Sequence, residues 1–123
     1  MTQTQISKLG TLRKRSEFLF VRDGAYAARG AVVIQARPNP DHDQIRYGVT
    51  ATKRIGNAVV RNRAKRRLRA LARDLLPRLA RPGHDYVLIA RDRTVERPFD
   101  KLREDARRAL QSEALSGQSA DEG

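Results

Sequence analysis

The stretch KRIGNAVVRNRAKRRLRALAR, residues 53–73, holds nine Lys and Arg and no Asp or Glu. Through it and just beyond, Val60, Ala64, Leu68, Leu71 and Leu75 recur at helical spacing. At about 100° per residue these five positions fall on one narrow stripe. Arg61, Asn62, Lys65, Arg66, Arg69 and Arg73 spread over the opposite side. The pattern predicts an amphipathic helix from Ala58 to Leu76, with Asn57 able to cap it and Pro77 as its stop. One face is built to pack, the other to hold an anion.

Strands flank this helix. Residues 45–52 alternate, with Ile45, Tyr47, Val49 and Ala51 on one side and Arg46, Gly48, Thr50 and Thr52 on the other. Residues 85–91, DYVLIAR, form a near-continuous apolar run, as expected of an interior strand covered on both faces. Upstream, AVVIQA (31–36) reads as a further strand, and Pro38-Asn39-Pro40-Asp41-His42-Asp43 is turn chemistry throughout. The strands on either side of that turn are expected to form a hairpin. Ser16 is placed to cap a short helix that ends near Asp23, with Gly24 as its stop. Pro98 opens a last helix in which Phe99, Leu102, Ala106 and Leu110 share a face, fading after Gln111. Residues 1–12 read as loosely ordered. The small, polar, acidic stretch 112–123 reads as a disordered tail, which leaves one domain over 1–111. The order α-β-β-(β)-α-β-α predicts an α+β fold, a small, mostly antiparallel sheet packed by helices.

The chain of 123 residues carries 26 Lys and Arg against 14 Asp and Glu, a net charge of +12. With the charge clustered in this way, the partner expected is a polyanion, most often nucleic acid. Cysteine is absent, which removes disulfides and cysteine-held zinc or iron–sulfur sites. No apolar signal core or membrane-length run occurs, so a cytoplasmic protein is expected.

A protein-borne active site finds little support. His42 lies between Asp41 and Asp43, but in a turn where side chains point apart into water. His84-Asp85 reads as a strand entrance. No phosphate loop, nucleophile elbow or HExxH pattern is present. The basic helix is the better candidate. Guanidinium groups donate paired hydrogen bonds to phosphates, lysines add mobile point charges, and Asn62 offers a neutral donor and acceptor. Lys53, Arg54 and Asn57 sit at the helix N-terminus, itself a weak anion site. Six aromatics are available to stack on bases. Tyr86 and Phe99 are expected in the core. Of Phe18 and Phe20, two apart on a short helix, one is expected to pack and the other to border a groove.

Residues 53–69, KRIGNAVVRNRAKRRLR, resemble the RNR signature of the bacterial ribonuclease P protein subunit. LRKRSEF (12–18) resembles that family's opening helix, RYGVTAT (46–52) its strand before the signature, and GHDYVLIAR (83–91) the strand after it. The resemblance spans roughly residues 9–111. It implies a fold like the second domain of ribosomal protein S5, with a left-handed strand–helix–strand crossover in place of the usual right-handed one. It also implies a partner in a catalytic RNA, one protein to one RNA, which together remove the 5′ leader of precursor tRNA. The RNA carries the hydrolysis and holds most of the Mg2+ required; the protein contributes no catalytic residue and no metal site. Carried over by position, Lys53, Arg54, Asn57, Arg61, Asn62, Arg63, Lys65, Arg66 and Arg69 are the RNA-binding residues. Phe18, Phe20 and Arg15 are the leader-binding ones, in a cleft between the first helix and the sheet. The chain departs from the pattern where many relatives have aromatics, at Arg22 and, on a strand, at Ile34. A structural RNA-binding protein of ribosomal type is the alternative, and an autonomous nuclease built on Asp41, His42 and Asp43 a remote third.

Overall fold

A computed structural model describes residues 9–116. Along the chain run β1 (Leu9–Thr11), α1 (Arg15–Arg22), β2 (Ala25–Arg29), β3 (Val32–Pro38), β4 (Ile45–Thr50), a 3-10 turn (Lys53–Ile55), α2 (Ala58–Leu79), β5 (His84–Ala90), α3 (Phe99–Leu110) and α4 (Glu113–Ser116). The five strands form one sheet in the order β1-β4-β5-β3-β2. The α+β architecture is as expected, but the sheet is evenly mixed and not mostly antiparallel. β1 and β5 both run parallel to β4, while β3 runs antiparallel to both β5 and β2.

The expected hairpin of β3 and β4 does not form, because β5 lies between them. The reason is β5 itself. Tyr86, Val87 and Leu88 are all buried, so both faces of the strand need cover and it takes the centre. β3 instead pairs with β2 across a tight turn at Gly30, whose φ of 51° suits glycine. A Cβ there would lie 2.3 Å from the Asp105 carboxylate, so the close approach also excludes larger residues.

α2 and α3 cover one face of the sheet. Leu68, Leu71 and Leu75 of α2 and Leu102 and Ala106 of α3 pack on Ile34, Tyr47, Tyr86 and Leu88. α1 lies on the other face, where Val21 packs with Leu12 and Val87. α2 joins the parallel neighbours β4 and β5, so its length spans the sheet.

Local expectations are corrected in five places. Lys14, not Ser16, caps α1, because the Glu17 carboxylate reaches back to accept the Arg13 and Lys14 N–H groups (2.6 and 2.9 Å). Residues 9–11, expected to be loose, pair with Ile45–Tyr47; three residues are too few to show a period. Pro77 does not stop α2, which continues to Leu79. A proline forfeits one hydrogen bond, but Leu76 is fully buried and Leu79 packs on the core, which holds the last turn. Phe99, expected in the core, is 41% exposed. The expected tail begins with α4, whose Leu115 is buried against the core; residues 117–123 lie outside the described residues.

Candidate nucleic-acid interface

α2 starts where Asn57 Oδ1 accepts the Val60 N–H at 3.0 Å, so the side-chain oxygen of Asn57 is occupied as a cap. From there Ala64, Leu68, Leu71, Ala72, Leu75 and Leu76 go inward. Asn62, Arg63, Arg66, Arg69 and Arg73 stand exposed, and Lys65 is half-buried. Lys53 and Arg54 are exposed on the 3-10 turn that precedes the helix. Arg61 is half-buried and donates to the Gly56 carbonyl (3.2 Å), which ties that turn to the helix.

The arginines that pair with carboxylates are elsewhere. Arg37, Arg46, Arg97, Arg103 and Arg107 face Asp23, Asp85, Asp105, Asp74 and Glu104. Among the described residues, Lys53, Arg54, Arg63, Lys65, Arg66 and Arg69 form no ion pair and no side-chain hydrogen bond. A solvated cation without an internal partner is free to neutralise a phosphate, and these are gathered along α2 and the turn that precedes it. Of the predicted signature residues, Lys53, Arg54, Asn62, Arg63, Lys65, Arg66 and Arg69 reach solvent on this part of the molecule, while Asn57 and Arg61 are engaged within the protein.

Arg67 differs. It lies in the middle of the signature, yet its guanidinium donates to the carbonyls of Thr94 (2.7 Å), Val95 and Arg97 (2.7 Å) and sits over the Phe99 ring, 5.6 Å from its centroid. Its position along the helix gives the reason: Arg67 falls about 20° from Val60, at the edge of the apolar stripe.

The face of the sheet that carries α1 is a second surface. Phe18 is half-buried over Gly48; a Cβ on Gly48 would lie 2.5 Å from the ring. Phe20 is covered by Arg37, whose guanidinium carbon is 4.1 Å from the ring centroid and which also donates to the Phe20 carbonyl (3.0 Å). Arg15 is exposed at the first position of α1. Ile34 points to the opposite face, into the core, so Val33 and Gln35 are the β3 residues on the α1 side. On this side a groove of about 610 Å³ opens between the 3-10 turn, the ends of β3 and β5, and the segment after β5. Arg54, Arg91 and Arg93 line it over a floor that includes Val33 and Ile89. Arg91 and Arg93 were not singled out from sequence, since neither lies on a periodic element.

Beneath α1 is a buried polar cluster that the sequence also hid. Asp85 is fully buried at the head of β5. It receives two hydrogen bonds from Arg46 (both 2.9 Å), one from Asn39 (3.0 Å) and one from His42 Nε2 (2.8 Å). His42 Nδ1 accepts the Gln44 N–H (3.0 Å), so the proton is on Nε2. His42 is thus turned inward, contrary to its expected place in water, and does not join Asp41 and Asp43. Burial raises the Asp85 carboxyl, but the Arg46, Asn39 and His42 hydrogen bonds outweigh it and hold it at about 2. Arg46 also reaches Glu17 of α1 (3.7 Å).

A mixed sheet with one helix presenting unpaired cations defines a basic α+β protein with a surface suited to a polyanion. The family model for ribonuclease P matches residues 6–113, and the chain belongs to that family. It is 50% identical over 107 residues to the ribonuclease P protein component of Ruegeria pomeroyi, covering 85% of this chain and 86% of that one. With the ribonuclease P protein component of Caulobacter vibrioides it shares 53% over 104 residues, 84% of this chain and 70% of the other. Among solved structures, the Staphylococcus aureus RNase P protein superposes with a TM-score of 0.71 at 24% identity, covering 85% of this chain and 94% of that one. The Thermotoga maritima RNase P protein gives 0.66 at 28%, covering 78% and 90%. The function is that of the protein subunit of ribonuclease P, a ribonucleoprotein of tRNA processing, and its partner is RNA. No described helix is long and apolar enough to cross a membrane.

Proposed function

We propose that the exposed basic face of α2, with Lys53 and Arg54, docks onto the RNA subunit, while the sheet face beneath α1 takes the 5′ leader of precursor tRNA. The unpaired state of Lys53, Arg54, Arg63, Lys65, Arg66 and Arg69 is the observation that carries this reading. The leader path runs past Arg15 and Phe18 toward the groove lined by Arg54, Arg91 and Arg93. Phe20, already stacked under Arg37, supports α1 and offers less to a base. The family resemblance supplies the chemistry: the RNA subunit carries the hydrolysis, one protein joins one RNA, and the complex works in the cytoplasm. The buried and half-buried carboxylates of the described fold are already committed to arginines. Asp74, Asp85 and Asp105 are each engaged by an arginine, and among the described residues no three His, Asp or Glu side chains are grouped to hold an ion. That the RNA holds most of the Mg2+ is what the family resemblance implies.

The test is affinity of the reconstituted complex for precursor and mature tRNA, with and without the protein. Precursor tRNA is expected to gain more from the protein, because mature tRNA has no leader. Equal gains for both would remove the leader-binding role.

A further inference from the structure

We infer that Arg67, although inside the RNA-binding signature, does not contact RNA but holds the segment Arg91–Arg97 against α2. The inference extends the reading above, since that segment carries Arg91 and Arg93 on the wall of the groove. Three carbonyls, those of Thr94, Val95 and Arg97, accept from the one guanidinium. A planar fork with five donors can serve such a set, whereas a phosphate approaching it would have to displace all three bonds. The rest of the segment is fixed to the other side of the fold. Thr94 Oγ1 donates to the Ala31 carbonyl (2.8 Å) and accepts the Arg91 N–H (2.7 Å). Arg97 pairs with buried Asp105, which also accepts the Ala31 N–H (3.0 Å). Arg67 is the side chain that ties this assembly to the helix proposed to dock on RNA, so the groove wall and the docking face are held in one register. Arg66 and Arg67, adjacent in sequence, thereby have opposite tasks: one faces RNA, the other faces the protein.

The experiment compares Arg66→Ala, Arg67→Ala and Arg67→Met in the reconstituted complex. Arg67→Met keeps an unbranched apolar stem at the position while removing the guanidinium, so the test stands even if the alanine variant folds poorly. Arg66→Ala is expected to weaken binding to the RNA subunit and to flatten the slope of log affinity against log salt by about 0.7–0.9, one phosphate contact. Both Arg67 variants are expected to leave that slope unchanged and to speed amide exchange at Thr94 and Arg97. They are also expected to reduce the preference for precursor over mature tRNA by about fivefold, the effect of one exposed charge contact. Adding Arg67→Met to the double variant Arg91→Ala/Arg93→Ala should produce no further loss, since the clamp acts through those residues. A slope change equal to that of Arg66→Ala, or unaltered amide exchange, would overturn the inference. If Arg91→Ala/Arg93→Ala leaves the precursor preference intact, the leader path proposed above falls. Faster exchange with an unchanged slope in Arg67→Met still supports the clamp in that case.

Discussion

Asp85 is a fully buried carboxylate whose partners come from two other parts of the chain: Arg46 on β4, and Asn39 and His42 from the turn after β3. Through Arg46 and Glu17 the cluster reaches α1, the helix that carries Phe18. Its carboxyl, at about 2, lies below the unfolded value of about 3.9. The stability it contributes is therefore present above pH 4 and is lost as pH falls through 2. That amounts to about 2–3 kcal/mol. Acid titration of unfolding should show this slope in the native chain and a flatter one in Asp85→Asn. Asp85→Ala should cost about 3 kcal/mol, because it leaves half-buried Arg46 with only the longer Glu17 contact and opens a hole where the carboxylate was; urea unfolding measures it. The sequence showed an acid at the head of an apolar strand but not its partners. Arg46 stands beside Asp85 only once β4 and β5 are known to be parallel neighbours, and His42 meets it only through the turn.

At the scale of elements, α2 was legible because a 22-residue helix repeats its pattern many times over. Of the five positions predicted to go inward, Ala64, Leu68, Leu71 and Leu75 are buried, while Val60 in the first turn is half-buried. Leu68→Ala is accordingly expected to destabilise by about 2–5 kcal/mol, read from the unfolding midpoint. Arg63→Ala, on the other side, should leave that midpoint within about 0.5 kcal/mol. β1 and β2 were not legible. LGT is too short for a period, and AYAAR is an edge strand whose Tyr26 is 64% exposed. The hairpin expectation failed for a related reason. Adjacency in sequence favoured pairing β3 with β4, but the strand most in need of cover on both faces came later in the chain and took the central place.

Across the whole molecule, acids and bases are sorted and not merely unequal in number. The carboxylates of Asp74, Asp85 and Asp105 neutralise arginines of the fold, while the signature on α2 and its preceding turn stays open to solvent. A chain of net charge +12 repels itself, and an anion that binds the folded state shifts the folding equilibrium toward it. Inorganic polyphosphate is expected to raise the thermal midpoint, and by less in a variant with the α2 charges removed; a differential melt reads both. The candidate surface was visible in the sequence as a run without acids. Arg67 was indistinguishable there from its neighbours until the loop that receives it was placed.

The most direct measurement is binding of the RNA subunit to the native chain and to the triple variant Arg63→Gln/Arg66→Gln/Arg69→Gln over a range of salt, with thermal midpoints recorded alongside. The variant is expected to melt with the native chain, bind more weakly, and lose roughly 2–3 units of salt slope, at about 0.7–0.9 for each of the phosphate contacts removed. Undiminished affinity with an unchanged slope would contradict the account, as would loss of the folded state.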